Sequence, residues 1–297
     1  MSRATRGWFT AAALLTFASV VMGTVVCATQ SGASCPNWPG CYPDQFAPAA
    51  QLSPLIEFTH RVIAGATGPA VLVAAILGRR LSDPRPRRLA WIALAGTLSA
   101  GTFGMLVVKV GIPWWLGVVD LASALTATVA MLLARVLLTE NAAWAPGPVA
   151  RLAWAAVGTL AAMHLLALAV AGTNSFTRCL GWPLGVLDAD RWPGLQWVRI
   201  LLAVATAGVI AVAARRAQRL PQGWLVARFA VGLVLLELGL GTAMVDGVEG
   251  LVVRTAFAVV AAGIFGSVAL LAARTSVSIR VADEPGKTPV AADVTAE

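Results

Sequence analysis

The chain has 297 residues, 58% of them apolar and only 12% charged, with a mean hydropathy of +0.79. Soluble domains are about half apolar and a quarter charged, so this composition excludes a disordered or fibrous chain and argues against a soluble globular one. The net charge is +8, from 22 Lys and Arg against 14 Asp and Glu, and its placement along the chain decides what it means.

Crossing the hydrocarbon core of a bilayer takes about 20 apolar residues. Eight such runs follow one another, at 8–28, 55–78, 89–109, 115–138, 151–172, 195–214, 225–245 and 251–273. The first follows Arg3 and Arg6, as the core of a signal peptide would, but its length and the seven further runs make it a retained anchor. The expected fold is an all-α integral membrane protein, with eight transmembrane helices arranged as two tandem four-helix bundles.

The basic residues gather on alternate connections and at the span ends bordering them. They include Arg3 and Arg6, then Arg79, Arg80, Arg85, Arg87 and Arg88, then Arg135 and Arg151. Arg215, Arg216, Arg219, Arg228, Arg274, Arg280 and Lys287 continue the pattern, whereas residues 29–56 hold no Lys or Arg. This is the positive-inside asymmetry. It places both termini in the cytoplasm, the 29–56 and 173–194 loops outside, and the protein in the plasma membrane. No basic patch interleaved with aromatics points to nucleic acid.

The external connections alternate long (29–56), short (110–114), long (173–194), short (246–250). That alternation suggests two parallel halves, 1–140 and 150–275, joined at 139–148. A short similarity between Leu116-Gly-Val-Val-Asp120 and Gly250-Leu-Val-Val-Arg254, which open spans four and eight, supports the repeat. Residues 276–297 follow the last span as a cytoplasmic tail. That tail is expected to be disordered, its 281–297 stretch being small, polar and aperiodic.

Polar groups inside spans are expensive unless paired, which makes the few present informative. They are Glu57, His60 and Arg61 in span two, Lys109 in span three, Asp120 in span four, His164 in span five, Arg199 in span six, Glu237 in span seven and Arg254 in span eight. Glu57 and His60 are three apart and share a helical face. The pair suits proton handling, with Glu57 as acid or base, or ligation of a metal or haem by His60. The plain alternative is a polar cap against lipid headgroups. His164 stands alone in an apolar helix, as a ligand or as a hydrogen-bonded packing residue.

Cys35 and Cys41 flank a C-x5-C segment in the first external loop. In an oxidising compartment a disulfide is expected there, either a structural staple or a redox pair. So short a loop gains about 2–3 kcal/mol from closure. Cys179 has no evident partner in its own loop, and Cys27 reads as a small apolar filler at a span end.

Cys35-Pro-Asn-Trp-Pro-Gly-Cys41, followed by Ile56-Glu57-Phe-Thr-His60-Arg61-Val-Ile-Ala-Gly65, resembles the haem A synthase family of cytochrome oxidase biogenesis. Gly111-Ile-Pro-Trp-Trp-Leu116 resembles that family's short connection between spans three and four, and the layout of two four-span halves is similar too. The resemblance implies an oxidoreductase that converts haem O to haem A. It implies haem O as substrate, haem O synthase and oxidase-assembly proteins as partners, and a lipid bilayer around it. It makes His60 a haem-iron ligand, Glu57 the catalytic or substrate-positioning carboxylate, Arg61 and Asp120 residues of the haem site, and Cys35–Cys41 the external cysteine pair. His164 is the remaining candidate ligand.

The family uses four ligand histidines, and this chain has two in all. Alignment of the Pro-Trp-Trp segments puts Asp120 at the span-four ligand position. In spans six and eight the positions fall near Trp197–Arg199 and at Arg254 or Thr255, so the haem b site of the second half lacks its ligands. The chain therefore reads as a divergent member, with a non-catalytic haem-binding or oxidase-assembly relative as the alternative. A transporter on the same scaffold is a third reading.

Overall fold

The computed structural model describes residues 2–110, 113–139, 142–172, 175–183, 192–221, 223–248 and 250–279. Eight long helices are present: α1 (Arg3–Ala28), α2 (Leu52–Gly78), α3 (Pro84–Val110), α4 (Trp114–Leu137), α5 (Pro148–Val170), α6 (Pro193–Ala217), α7 (Trp224–Val245) and α8 (Leu251–Thr275). Each is long and apolar enough to cross a membrane. The molecule is an all-α, multi-pass membrane protein, and each helix matches a run visible in the sequence. α1 and α3 begin at Arg3 and Pro84 rather than at 8 and 89. The added turns carry arginines, whose long stems let a helix continue past the hydrocarbon while the charge stays wet. Ser2 caps α1, its hydroxyl accepting from the Thr5 N–H at 3.1 Å.

In each half the first helix packs on the second and fourth, and the third packs on the same two. The halves meet where α1 and α4 pack on α8 and where α4 packs on α5. α8 is the most enclosed helix, with 78% of its central window buried against 11% for α3, which faces outward. Between helices in lipid, close approach depends on small side chains, and half of the buried residues of α8 are Ala or Gly. At Gly266 the Phe17 ring of α1 occupies the space a Cβ would need, so this contact requires glycine.

The two bundles fill differently. The second has a core that runs its whole length, from Ala217 and Leu271 to Phe257 and Trp182. The core of the first, from Phe9 and Ala12 of α1 to Val71, Ala90 and Met131, occupies only the end bearing the arginines.

The joint between the halves is built into the fold. Two short strands, β1 (Ala142–Trp144) and β2 (Val277–Ile279), pair antiparallel, with Ala143 opposite Ser278. The Trp154 indole N–H donates to the Ser276 hydroxyl beside them at 2.9 Å. Residues 277–279, expected to belong to a disordered tail, thus form a strand because β1 supplies a partner for their backbone, while 281–297 lie outside the described residues.

Candidate functional site

The Cys-loop end of the first bundle is organised by α2. Glu57 and Arg61 are one turn apart, the spacing and order that favour an ion pair on a helix, and they meet at 2.5 Å. The other Glu57 oxygen accepts from the Cys35 N–H at 2.8 Å and from the Ser34 hydroxyl at 3.0 Å. Arg61 donates to the carbonyls of Cys35 at 2.6 Å and Gly40 at 2.8 Å, and to that of Asn37. A buried ion pair is tolerable only when its remaining donors and acceptors are also bound, and here the loop backbone binds them. Glu57 and Arg61 therefore clamp the loop onto the bundle. The Cys35–Cys41 disulfide closes that loop, and Phe46 rests edge-on against Phe58 of α2 at 5.7 Å.

His60 lies one step along the same helix, outside the clamp. Its Nδ1 is buried without a hydrogen-bond partner. Its ring lies over Gly23 of α1, where an added Cβ would come 3.5 Å from the imidazole Cε1. Beyond His60 the side chains of the bundle are only partly enclosed. None of residues 58–66 of α2, 95–110 of α3 or 117–124 of α4 is fully buried, and most are half-buried. The layer between α2, α3 and α4 is thus less enclosed than the core of the second bundle, although α3 and α4 touch within it, the Ser99 and Ser123 hydroxyls meeting at 2.8 Å. Asp120 is half-buried at this level of α4.

The structure thus brings Glu57, Arg61, Cys35 and Cys41 together, sets His60 beside them, and separates His164. That residue is sealed within the second bundle against Phe265, with ring centroids 6.3 Å apart. The Leu180 backbone lies alongside it at a geometry short of a hydrogen bond. Arg199 and Glu237 do not pair in the way their charges suggest. Arg199 donates to the Thr177 and Gly181 carbonyls at 2.7 Å each and to the Thr177 hydroxyl at 3.1 Å, and Glu237 accepts from the Trp182 N–H at 3.4 Å. Segment 175–183 is held over the second bundle much as the Cys loop is held over the first. Among the described residues no three His, Cys, Asp or Glu side chains form a metal-ligand set.

Cys27 and Cys179, read as a filler and an unpartnered thiol, form a disulfide with Cα atoms 5.5 Å apart. Four cysteines in an oxidising compartment, two of them already paired, contained the signal for this bond. Gly23 carried no signal at all, since its role depends on which helix His60 leans on.

No family model matches the chain. Among curated proteins, the protoheme IX farnesyltransferases of two strains of Thermus thermophilus are each 30% identical to it over 237 residues. This chain is similar to part of a protoheme IX farnesyltransferase. The match takes in 73% of the chain but only 39% of each relative, so the chain spans about two fifths of their length. This finding overturns the haem A synthase assignment, and with it the conversion of haem O to haem A and the oxidoreductase label. The motifs behind that resemblance have a structural account: the Cys loop and the Glu-x-x-His-Arg segment form a loop clamp, which needs no oxidative chemistry.

Proposed function

We propose that this chain is a multi-pass membrane protein of haem biosynthesis that holds an iron-porphyrin against the partly enclosed layer of α2, α3 and α4, with His60 as an axial ligand. The observation that carries the reading is the conjunction of that layer with a buried imidazole nitrogen that lacks a partner. A porphyrin supplies four of the iron's ligands, so a single protein imidazole suffices where a bare ion would need a cluster. The name of the relatives, which specifies protoheme IX, supports the same class of ligand. Prenyl transfer stays with the relatives, of which this chain matches 39%.

In this reading Glu57 and Arg61 act by holding the Cys loop as a lid over the layer, and Asp120 offers a polar contact to water or to a porphyrin substituent. The arginine-bearing end, with both termini, faces the cytoplasm of the plasma membrane, in keeping with the positive-inside asymmetry.

The test is a haemin titration of the purified full-length protein, followed in the Soret region. A saturable, red-shifted Soret band at one equivalent is expected, and His60→Ala should abolish the shift while His164→Ala leaves it. Absence of saturable binding, or an unchanged band in His60→Ala, would overturn the assignment.

A further inference from the structure

The Cys loop and the start of α2 share an exposed apolar edge. Trp38 is 43% exposed, Phe46 66%, Leu52 61% and Leu55 45%. Single exposed apolar residues are ordinary, but a contiguous group of them marks a contact surface. These four are connected. Phe46 rests edge-on against Phe58, which stands one turn from Leu55, and Leu55 stands one turn from Leu52. Trp38 joins them through Gly40, where an added Cβ would come 3.0 Å from the Phe46 backbone.

The edge is held out by hydrogen bonds. The Cys41 N–H donates to the Phe46 carbonyl and the Tyr42 N–H to the Gln45 carbonyl, each at 3.1 Å. Arg61 donates to the carbonyls of Asn37 and Gly40, on either side of Trp38. The loop therefore cannot turn these two rings inward without breaking the bonds that tie it to α2.

The continuation of the edge indicates what covers it. Leu55, Val62, Pro69 and Ile76 recur every seven residues along α2 and are all exposed, so they form one stripe down the outer flank of the helix. On a membrane-spanning helix such a flank meets lipid. Leu52, Phe46 and Trp38 prolong the stripe past the first turn of α2, and aromatic rings at that level are favoured at the boundary between headgroups and acyl chains. Charge points the same way. Residues 29–56 carry Asp44 and no Lys or Arg, so attraction to anionic headgroups is not what would hold this edge.

We propose that the edge is a membrane-docking surface. Trp38 and Phe46 insert into the leaflet at the Cys-loop end, beside Leu52 and Leu55, and the loop lies on the bilayer instead of standing in water. The partner is the apolar boundary of the leaflet, whatever the charge of its lipids. The inference does not depend on a ligand at His60.

The experiment places photoreactive benzoylphenylalanine in the full-length protein in place of Phe46, Trp38, Val62 or Ser278, one at a time. Val62 is the lipid-facing reference on α2, and the exposed Ser278 of β2 is a reference away from the spans. The analogue keeps a phenyl ring at position 46, so the contact with Phe58 is preserved. The protein is irradiated in phosphatidylcholine nanodiscs and its adducts are read by mass spectrometry. Lipid adducts at 46 and 38 should approach the yield at 62 and exceed that at 278 by about tenfold, the occupancy shift produced when one aromatic ring leaves water. Nanodiscs containing phosphatidylglycerol should give the same yields. A lipid adduct above the Ser278 level at either loop position, in phosphatidylcholine alone, supports the proposal. It is overturned if both positions stay at that level, if covalent dimers form there in place of lipid adducts, or if adducts require phosphatidylglycerol.

Discussion

Cys27, in the last turn of α1, is disulfide-bonded to Cys179, which follows α5 and lies 152 residues further along the chain. The bond crosses between the two bundles at the Cys-loop end, where Ala28 and Ala258 also pack. It fixes the loop segments of both halves to one another.

One prediction concerns this bond. Proteolysis within the 139–148 joint should give two fragments that migrate together without reductant and apart with it. Closing so long a loop is worth about 2–5 kcal/mol, so Cys27→Ser with Cys179→Ser should also lower the unfolding temperature. Fragments that separate without reductant would exclude the crosslink.

The clamp gives a second. Arg61→Ala leaves the Glu57 carboxylate buried without its cation, a change that costs on the order of 3 kcal/mol. Cleavage of the 29–51 loop by protease should accelerate with it. Combining Arg61→Ala with Glu57→Gln should cost less than the sum of the single changes, since the pair acts as a unit. Strict additivity in thermal unfolding would argue against direct coupling.

Gly23 gives a graded third. An alanine Cβ would meet the His60 ring at ordinary contact distance, and alanine is favoured over glycine in a helix by about 0.5–1 kcal/mol. Gly23→Ala should therefore keep haemin binding and fold normally. Gly23→Leu should displace the imidazole and weaken binding at least tenfold. Equal affinities for parent and Gly23→Leu would remove His60 from the site.

His164 gives the fourth. Both its ring nitrogens are buried without hydrogen bonds, and an unsatisfied buried polar group costs about 1–3 kcal/mol. His164→Leu should leave the Soret band unchanged and hold or raise the unfolding temperature. A lost band would move the haem site to the second bundle.

The eight helices were legible because apolar length is a property of the sequence itself, and each run from 8–28 to 251–273 became a helix. The Cys35–Cys41 bond was legible from its spacing and compartment. What lay beyond reach depended on lateral packing. Glu57 looks like an acid–base residue until the N–H of Cys35 and the guanidinium of Arg61 are seen to occupy its oxygens. Arg199 and Glu237 each hold segment 175–183 through its backbone, a role that depends on where that segment folds back. An apolar helix conceals which face meets protein and which meets lipid, so the packing of His60 over Gly23 could not be read from a single strand of text. Short motifs shared with a family misled for the same reason: their shared task here is to hold a loop.

The pairing of β1 with β2 has a consequence for how the second bundle is attached. The chain leaves that bundle at the place where it came in, so α5 to α8 form a cassette whose two doorposts are bonded to each other. Between these doorposts α1 and α4 pack on α8, so the cassette is held along its length as well as at its ends. Together with the disulfide at the far side, it makes the second half a module pinned at both membrane faces.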